Sequence, residues 1–476
     1  MTDEKTRRRV LQAGGLTIAG LLAGCGEDSS DGDLDGLFSD GTQTTDRAEP
    51  FRPKQTETPI ELETETPPET ETPPETETTI ETVEPIDDCG HDYPLEPTSS
   101  EGAFTLFHDR QESGTRLLEG TRLLFNQGDD HPTMSLERAG DSYFLNQLRT
   151  SIPAGEGPHL FQWNHDIAGE FVRSEFLSDQ EGNLRVGECA FADVAWDACR
   201  YEGHTIGVPI AAECPALLYN KAILDEMGVE PPESFADWIS IMEEYHDPYN
   251  GEYGLAHPVN AYFVSWAAQT FGEAIYDGDA DELGITSDAV IRGLNLILED
   301  LKPYMPEDPS EQVQRSIFEG GNSPFLVNGP WAIAGLEAAG LDVGVTPIPA
   351  PDGGVARPYS GVQLLYFARK MNDYTAGTQA ARGFAEWYCT NVERLRGLAT
   401  NTSMIPVKTG LGREQLPETT RGFAAQFETS YPMPQNPKMS AVWVPFEQGV
   451  LDAFNSGNDP APLMADAAEE IRNSWV

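Results

Sequence analysis

Between Thr64 and Thr78 the hexad Thr-Glu-Thr-Pro-Pro-Glu runs twice and begins a third time. Neither this repeat nor the acidic, Ser- and Thr-rich sequence around it supplies an apolar stripe to bury, and its prolines hold the backbone extended. Residues 25–98 therefore read as an unfolded stalk, and any fold has to be built from the residues after about 100. At about 3.1 Å per residue in polyproline II, a stalk of this length reaches on the order of 200 Å.

Upstream of the stalk stand two signals in series. Arg7-Arg8-Arg9 followed by the short apolar run Leu16–Leu22 has the layout of a twin-arginine export signal, too short to span a bilayer. Leu22-Ala23-Gly24-Cys25 then has the small residues of a lipoprotein processing box. Residues 1–24 are expected to be removed, with lipid attached to the thiol and amine of Cys25. Two acyl chains anchor a protein where one does not. The expected location is the extracellular face of the cytoplasmic membrane, with membrane contact through that anchor.

Charge narrows the partners. The chain has 79 Asp and Glu against 30 Lys and Arg, a net charge of −49, and the acid is not confined to the stalk. Such a surface repels nucleic acid and anionic lipid. It is tolerable in concentrated salt, where the Debye length shrinks to roughly 3 Å, and marks the chain as a halophile's protein. The six cysteines provide no framework; Cys189 and Cys199 are close enough to close one short loop. There is no CxxC, HExxH or tight His cluster, so no metal and no cofactor is expected. Asp277-Gly278-Asp279-Ala280-Asp281 begins like a calcium loop but has Glu282 where that loop needs glycine, and reads as an acidic turn.

After the stalk, apolar runs such as Phe104–Phe107, Leu160–Trp163 and Thr205–Ile210 alternate with helical patterns near Thr115–Phe125 and Asn220–Met227. That is an α/β rhythm, over a length that exceeds one hydrophobic core. Ser234 and Asp237 make a capping box for a helix through Tyr245, Ser287 opens another through Leu301, and Thr378–Leu398 reads as one long helix. Trp238, Leu294, Ile297 and Trp387 are assigned to the core.

Five segments do not read as core: Gly157–Asp166, Val208–Lys221, Asn260–Phe263, Val327–Trp331 and Lys438–Trp443. Each places aromatics or a carboxylate where an apolar run ends. In these segments, and in this order, the chain resembles the extracellular solute-binding proteins of ABC importers, and among them those for maltose and maltodextrin. The resemblance implies an α/β, two-lobe periplasmic-binding-protein-like fold with a ligand cleft between the lobes and several hinge crossings, near Ile210–Glu213, near Gly361–Leu364 and after Gly410. Lobe one would comprise 101–210 and 365–412, and lobe two 211–364 and 413–476. It further implies that Trp163, Trp331 and Trp443 are aromatic walls, that Tyr262 and Phe263 form another platform, that Asp166 and Glu213 accept ligand hydroxyls, and that Asp109 and Arg110 lie near the ligand. Two positions depart from the family: Ile167 replaces an arginine beside the acid, and Asn260 replaces a glutamate.

The residue types point the same way on their own chemistry. A pyranose presents an apolar C–H face and a rim of hydroxyls, which flat indoles and carboxylates complement. Burying roughly 50 Å² per ring at about 25 cal/mol/Å² yields about 1.2 kcal/mol for each tryptophan. With two acids, and after the cost of immobilising the ligand, micromolar affinity is the expected scale. The absence of an Arg or Lys cluster favours a neutral mono- or oligosaccharide. The expected partners are that sugar and an importer permease, the protein acting as a monomer without catalysis and closing about its hinge. Other readings are a secreted glycoside hydrolase using Asp166 and Glu213, in which case maltotriose would be cleaved, and a surface adhesion module. His165, beside Asp166, is read as structural.

Overall fold

The computed structural model describes residues 95, 101–110, 112–127, 132–139 and 143–475. The export signal, Cys25, Cys89 and the stalk apart from Leu95 lie outside the described residues; Leu95 is buried against the large-sheet core and its amide donates to Thr390 Oγ1 at 3.1 Å, so the unfolded stretch expected to reach residue 98 does not include it. Among the described residues fourteen strands follow in order: β1 (Ala103–His108), β2 (Thr133–Arg138), β3 (Leu160–Asn164), β4 (Arg200–Tyr201), β5 (His204–Thr205), β6 (Gly207–Glu213), β7 (Ala216–Asn220), β8 (Tyr276–Asp277), β9 (Glu282–Leu283), β10 (Phe325–Asn328), β11 (Val343–Thr346), β12 (Tyr359–Phe367), β13 (Ile405–Pro406) and β14 (Tyr431–Pro432). Two bodies are built on two of their sheets. The larger has the order β13-β6-β12-β3-β1-β2, with β14 on the end of β12; the smaller is β10-β7-β11.

Burial explains both. All nine residues of β12 and all seven of β6 are buried, as expected of central strands covered on both faces. In the small sheet the side chains alternate: Ala216, Leu218 and Leu326 join one core with the helices Glu311–Glu319, Ile333–Ala338 and Glu418–Phe427. Leu217, Phe325 and Val327 join another with Trp238, Leu294, Phe446 and Ile471. The period of two along a strand thus feeds two separate layers of helix.

Within the described residues the chain passes between the sheets repeatedly. The chain goes directly from β6 to β7, returns from β11 into β12, and leaves β13 for the helix Glu418–Phe427 against the small sheet. A strap, Tyr431–Pro437, runs alongside. The Tyr431 and Met433 amides donate to Pro358 and Ser360 carbonyls at 2.8 and 3.0 Å, while the Gln435 side chain reaches the Ala198 carbonyl at 2.7 Å.

Helix starts follow side-chain capping. Ser234 accepts the Asp237 amide at 3.1 Å and donates to its carboxylate at 2.6 Å, opening Phe235–Tyr245. Ser287 accepts the Val290 amide and opens the helix that runs toward Leu301, but its last six residues, Leu296–Leu301, wind as a π-helix. The single helix expected over Thr378–Leu398 is two, Ala376–Thr390 and Val392–Thr402. Asn391 breaks it: its ψ of 101° is not helical, and its side chain accepts the Arg394 amide as the cap of the second helix. Trp238, Leu294 and Ile297 are fully buried, whereas Trp387 is half-buried at the core's edge. Asp277–Asp281 closes the β8–β9 hairpin, with the Asp277 carboxylate accepting the amides of Asp279 and Ala280. Cys199 closes no loop with Cys189: it is a buried free thiol donating to the Ala195 carbonyl. Among the described residues no helix is long and apolar enough to cross a membrane.

Candidate functional site

Strand direction gathers the first wall of the site. β1 and β3 are parallel, and β12 is antiparallel to both β3 and β6, so the carboxyl ends of β1, β3 and β6 and the amino end of β12 share one edge. Ligands of open α/β sheets lie beyond that edge. Asp109 and Arg110 follow β1, Trp163, Asn164 and Asp166 end or follow β3, Glu213 ends β6, and Gln363 is the middle residue of β12. Across from them stand Tyr262, Trp331, Met433 and Trp443, and between the two walls is a cleft of about 490 Å³.

Each aromatic has a fixed backing. Trp163 stacks on Phe144 with centroids 5.3 Å apart and planes 17° apart. Trp331 leaves β10 through Gly329-Pro330; its ring lies 6.1 Å from Tyr262 and 6.2 Å from Phe263, and its Nε1–H donates to Glu311 at 3.4 Å. Trp443 opens the helix Trp443–Ser456 and packs edge-on to the buried Tyr359 at 5.4 Å. Rings held on one face and open on the other are platforms.

The polar groups are unusual in being both buried and unanswered. Asn164 and Gln363 donate their amide N–H groups to Glu213 Oε1, at 2.7 and 3.3 Å. Asn164 Oδ1, Gln363 Oε1, Asp166 Oδ1, the Tyr262 hydroxyl and Arg110 Nη2 are all shut off from solvent and without a hydrogen-bond partner. All five belong to residues lining the cleft. Leaving such groups unmet costs about 1–3 kcal/mol each, so their concentration at one cavity marks a place for a polar ligand.

Burial sets the acidities. Asp166 is pushed up to about 7 by desolvation, with the Glu213 charge adding to it against the pull of backbone donors. Glu213 is also raised by burial, opposed by Asn164, Arg110 and Gln363. The Tyr262 phenol is held well above its ordinary value by burial and by Glu213 nearby, and so remains a donor. Three acids, Asp109, Asp166 and Glu213, face one cation, Arg110. The cleft thus repels anions.

The structure brings together Trp163, Asp166, Glu213, Tyr262, Trp331, Trp443, Asp109 and Arg110, and leaves Phe263 out. Phe263 is 2% exposed and packs against both Tyr262 and Trp331 in the small-sheet core. Asn260 caps that turn by accepting the Phe263 amide at 2.9 Å, and Ile167 is buried in the large-sheet core. His165 is structural: neutral and pushed down to about 4 by burial, it accepts the Val362 amide at Nδ1 at 3.1 Å. Residue-by-residue reading missed Asn164, Gln363, Thr402, Met404 and Met433. Gln363 carried a signal, as the one long polar side chain in Tyr-Ser-Gly-Val-Gln-Leu-Leu-Tyr-Phe.

Residues 125–424 match the family described as bacterial extracellular solute-binding protein. The chain belongs to that family. A maltotriose-binding protein of Pyrococcus abyssi is 38% identical over 317 residues, which are 64% of this chain and 68% of the relative. The maltodextrin-binding protein MdxE of Bacillus subtilis is 23% identical over 79% of this chain and 92% of its own. Among solved structures, the Thermus thermophilus maltotriose binding protein bound with maltotriose superposes with a TM-score of 0.69 at 22% identity, covering 78% of this chain and 100% of that one. An ABC substrate-binding protein of Listeria monocytogenes in complex with cycloalternan gives 0.68 at 17% identity, over 79% and 99%. The fold of this solute-binding protein is therefore the two-lobe one of maltose-binding structures, with the cleft between its sheets.

Proposed function

We propose that this solute-binding protein captures a neutral oligosaccharide of the maltotriose or maltodextrin kind in the cleft and presents it to an ABC importer. The observation that carries the reading is the set of five buried, unanswered hydrogen-bond groups on residues that line a cleft walled by half-buried indoles. A sugar satisfies both halves at once: its ring faces cover Trp163, Trp331 and Trp443, and its hydroxyls donate to Asn164, Gln363 and Asp166 and accept from Tyr262 and Arg110. An anion meets three acids, and an apolar ligand leaves the polar wall unmet. The names of the relatives fit this chemistry.

Because contacts to both walls form only when the sheets approach, the ligand stabilises the closed form, which the permease then recognises. Cys25 tethers the protein by lipid after twin-arginine export, and the stalk lifts it from the membrane of a halophile. Asp166 holds the sugar directly and Glu213 holds it through the Asn164 and Gln363 amides, without cutting it.

Titrating the intrinsic tryptophan fluorescence in molar KCl with maltotriose is the direct test. Saturable change in the micromolar range, compaction by small-angle scattering, and intact maltotriose after prolonged incubation are expected. No response to any gluco-oligosaccharide sinks the reading, and release of glucose or maltose replaces it with hydrolysis.

A further inference from the structure

The two amides that bracket Glu213 allow a more specific assignment, which rests on the sugar-binding reading. A carboxamide has one donor end and one acceptor end. Asn164 and Gln363 both spend a donor on Glu213 Oε1, at 2.7 and 3.3 Å, so both carbonyl ends are turned away from that carboxylate. Those ends, Asn164 Oδ1 and Gln363 Oε1, are the ones buried without a partner.

The backbone is shaped around this arrangement. Gly361 pairs with Glu213, and a Cβ there would lie 2.9 Å from both Cγ and Oδ1 of Asn164. That is closer than side chains approach, so glycine leaves room for the amide. Opposite, the β12–β6 register shifts between Gln363 and Leu364, where β6 carries an extra residue between Pro209 and Ala211. The bulged residue is Ile210 of β6, and the local kink it introduces falls opposite the Gln363–Leu364 step.

We infer that Asn164 and Gln363 read the ligand, each demanding an O–H donor, and that Glu213 is the positioning residue that fixes which way both amides face. With Asp166 Oδ1 they give the cleft three acceptors that the hydroxyl protons of a sugar can satisfy. The site then discriminates by hydroxyl pattern as well as by ring shape. It rejects analogues in which a hydroxyl meeting one of these acceptors is replaced by a group that cannot donate.

Calorimetry on the full chain in molar KCl, with maltotriose and with analogues carrying fluorine in place of each hydroxyl in turn, tests this. Fluorine keeps the size of the hydroxyl and loses the proton. The unmodified protein should bind at least two of the analogues about tenfold more weakly than the parent. Asn164→Ala and Gln363→Ala should each bind maltotriose about five- to tenfold more weakly, and each should stop distinguishing one of those analogues from the parent. Glu213→Gln, without the charge that orients the amides, should shrink both discriminations together. The fluorine series on the unmodified protein needs no variant to fold. If maltotriose binds but every analogue binds within about twofold of it, or if both alanine variants keep their discrimination, the assignment is overturned while the sugar reading stands. If the folded protein binds no sugar, both fall.

Discussion

Trp331 shows how much of this site is decided by single side chains. Its ring is held by Tyr262 and Phe263 behind it and by Glu311 at Nε1, so its open face is presented without cost at the moment of binding. Trp331→Ala removes one platform worth about 1.2 kcal/mol of apolar contact and also frees Tyr262 to move. Calorimetry with maltotriose should show about tenfold weaker binding, with the circular dichroism spectrum unchanged; equal affinity would remove Trp331 from the site. Asp166 adds a pH dependence whose sign can be worked out. Its folded acidity is raised to about 7 from 3.8, so between these values the folded protein holds a proton that the unfolded chain has lost. This residue's contribution to stability is therefore full below about pH 4 and is lost as pH rises through about 7. A sugar hydroxyl donating to Asp166 favours the charged form, so binding releases a proton and affinity falls as pH drops below about 7. Titrations from pH 5.5 to 8 on the unmodified protein and on Asp166→Asn check this, the variant being expected to flatten the profile.

At the scale of elements, legibility in the sequence tracked whether a signal was local. Ser234 and Ser287 announced their helices because capping needs only the next three residues. Trp163, Glu213 and Trp331 could be picked out because each sits where an apolar run leaves the core, which the sequence displays directly. Phe263 could not be separated from Tyr262, since which of two adjacent aromatics faces the cleft depends on a turn set by Asn260 and by Glu447, whose carboxylate accepts the Ala261 amide at 3.2 Å. Asn164 and Gln363 gain their meaning only from strand pairing, which brings together residues 199 positions apart. The π-winding of Leu296–Leu301 has no signal that we can identify. Asn391 is the instructive miss: apolar periodicity continues through it, and one cap overrides the pattern. Asn391→Ala should lower the free energy of unfolding in urea by about 1 kcal/mol, through loss of the bond to the Arg394 amide at 3.0 Å. An unchanged unfolding midpoint would mean that packing, rather than the cap, places the break.

For the whole molecule the deciding quantity is charge. Acids outnumber bases 79 to 30, and one paired cation, Lys221, serves two acids, Asp342 at 3.2 Å and Glu418 at 3.1 Å. Raising salt weakens such exposed pairs, each worth about 0–1 kcal/mol, but it also screens every repulsion among the surplus acids. With the surplus this large, repulsion is the greater term and salt stabilises. The Debye length falls from about 10 Å at 0.1 M to about 3 Å at 1 M, which is the range in which neighbouring surface carboxylates stop sensing one another. Thermal unfolding followed by circular dichroism should therefore move upward steeply between tens of millimolar and molar KCl, and sugar affinity should rise with it, since the cleft requires both sheets folded and in register. Sucrose at equal osmolality separates the causes: it strengthens burial in general but screens no charge. If sucrose raises the unfolding temperature as far as KCl does, or if the protein is equally stable at the two salt extremes, acidity is not what governs this fold.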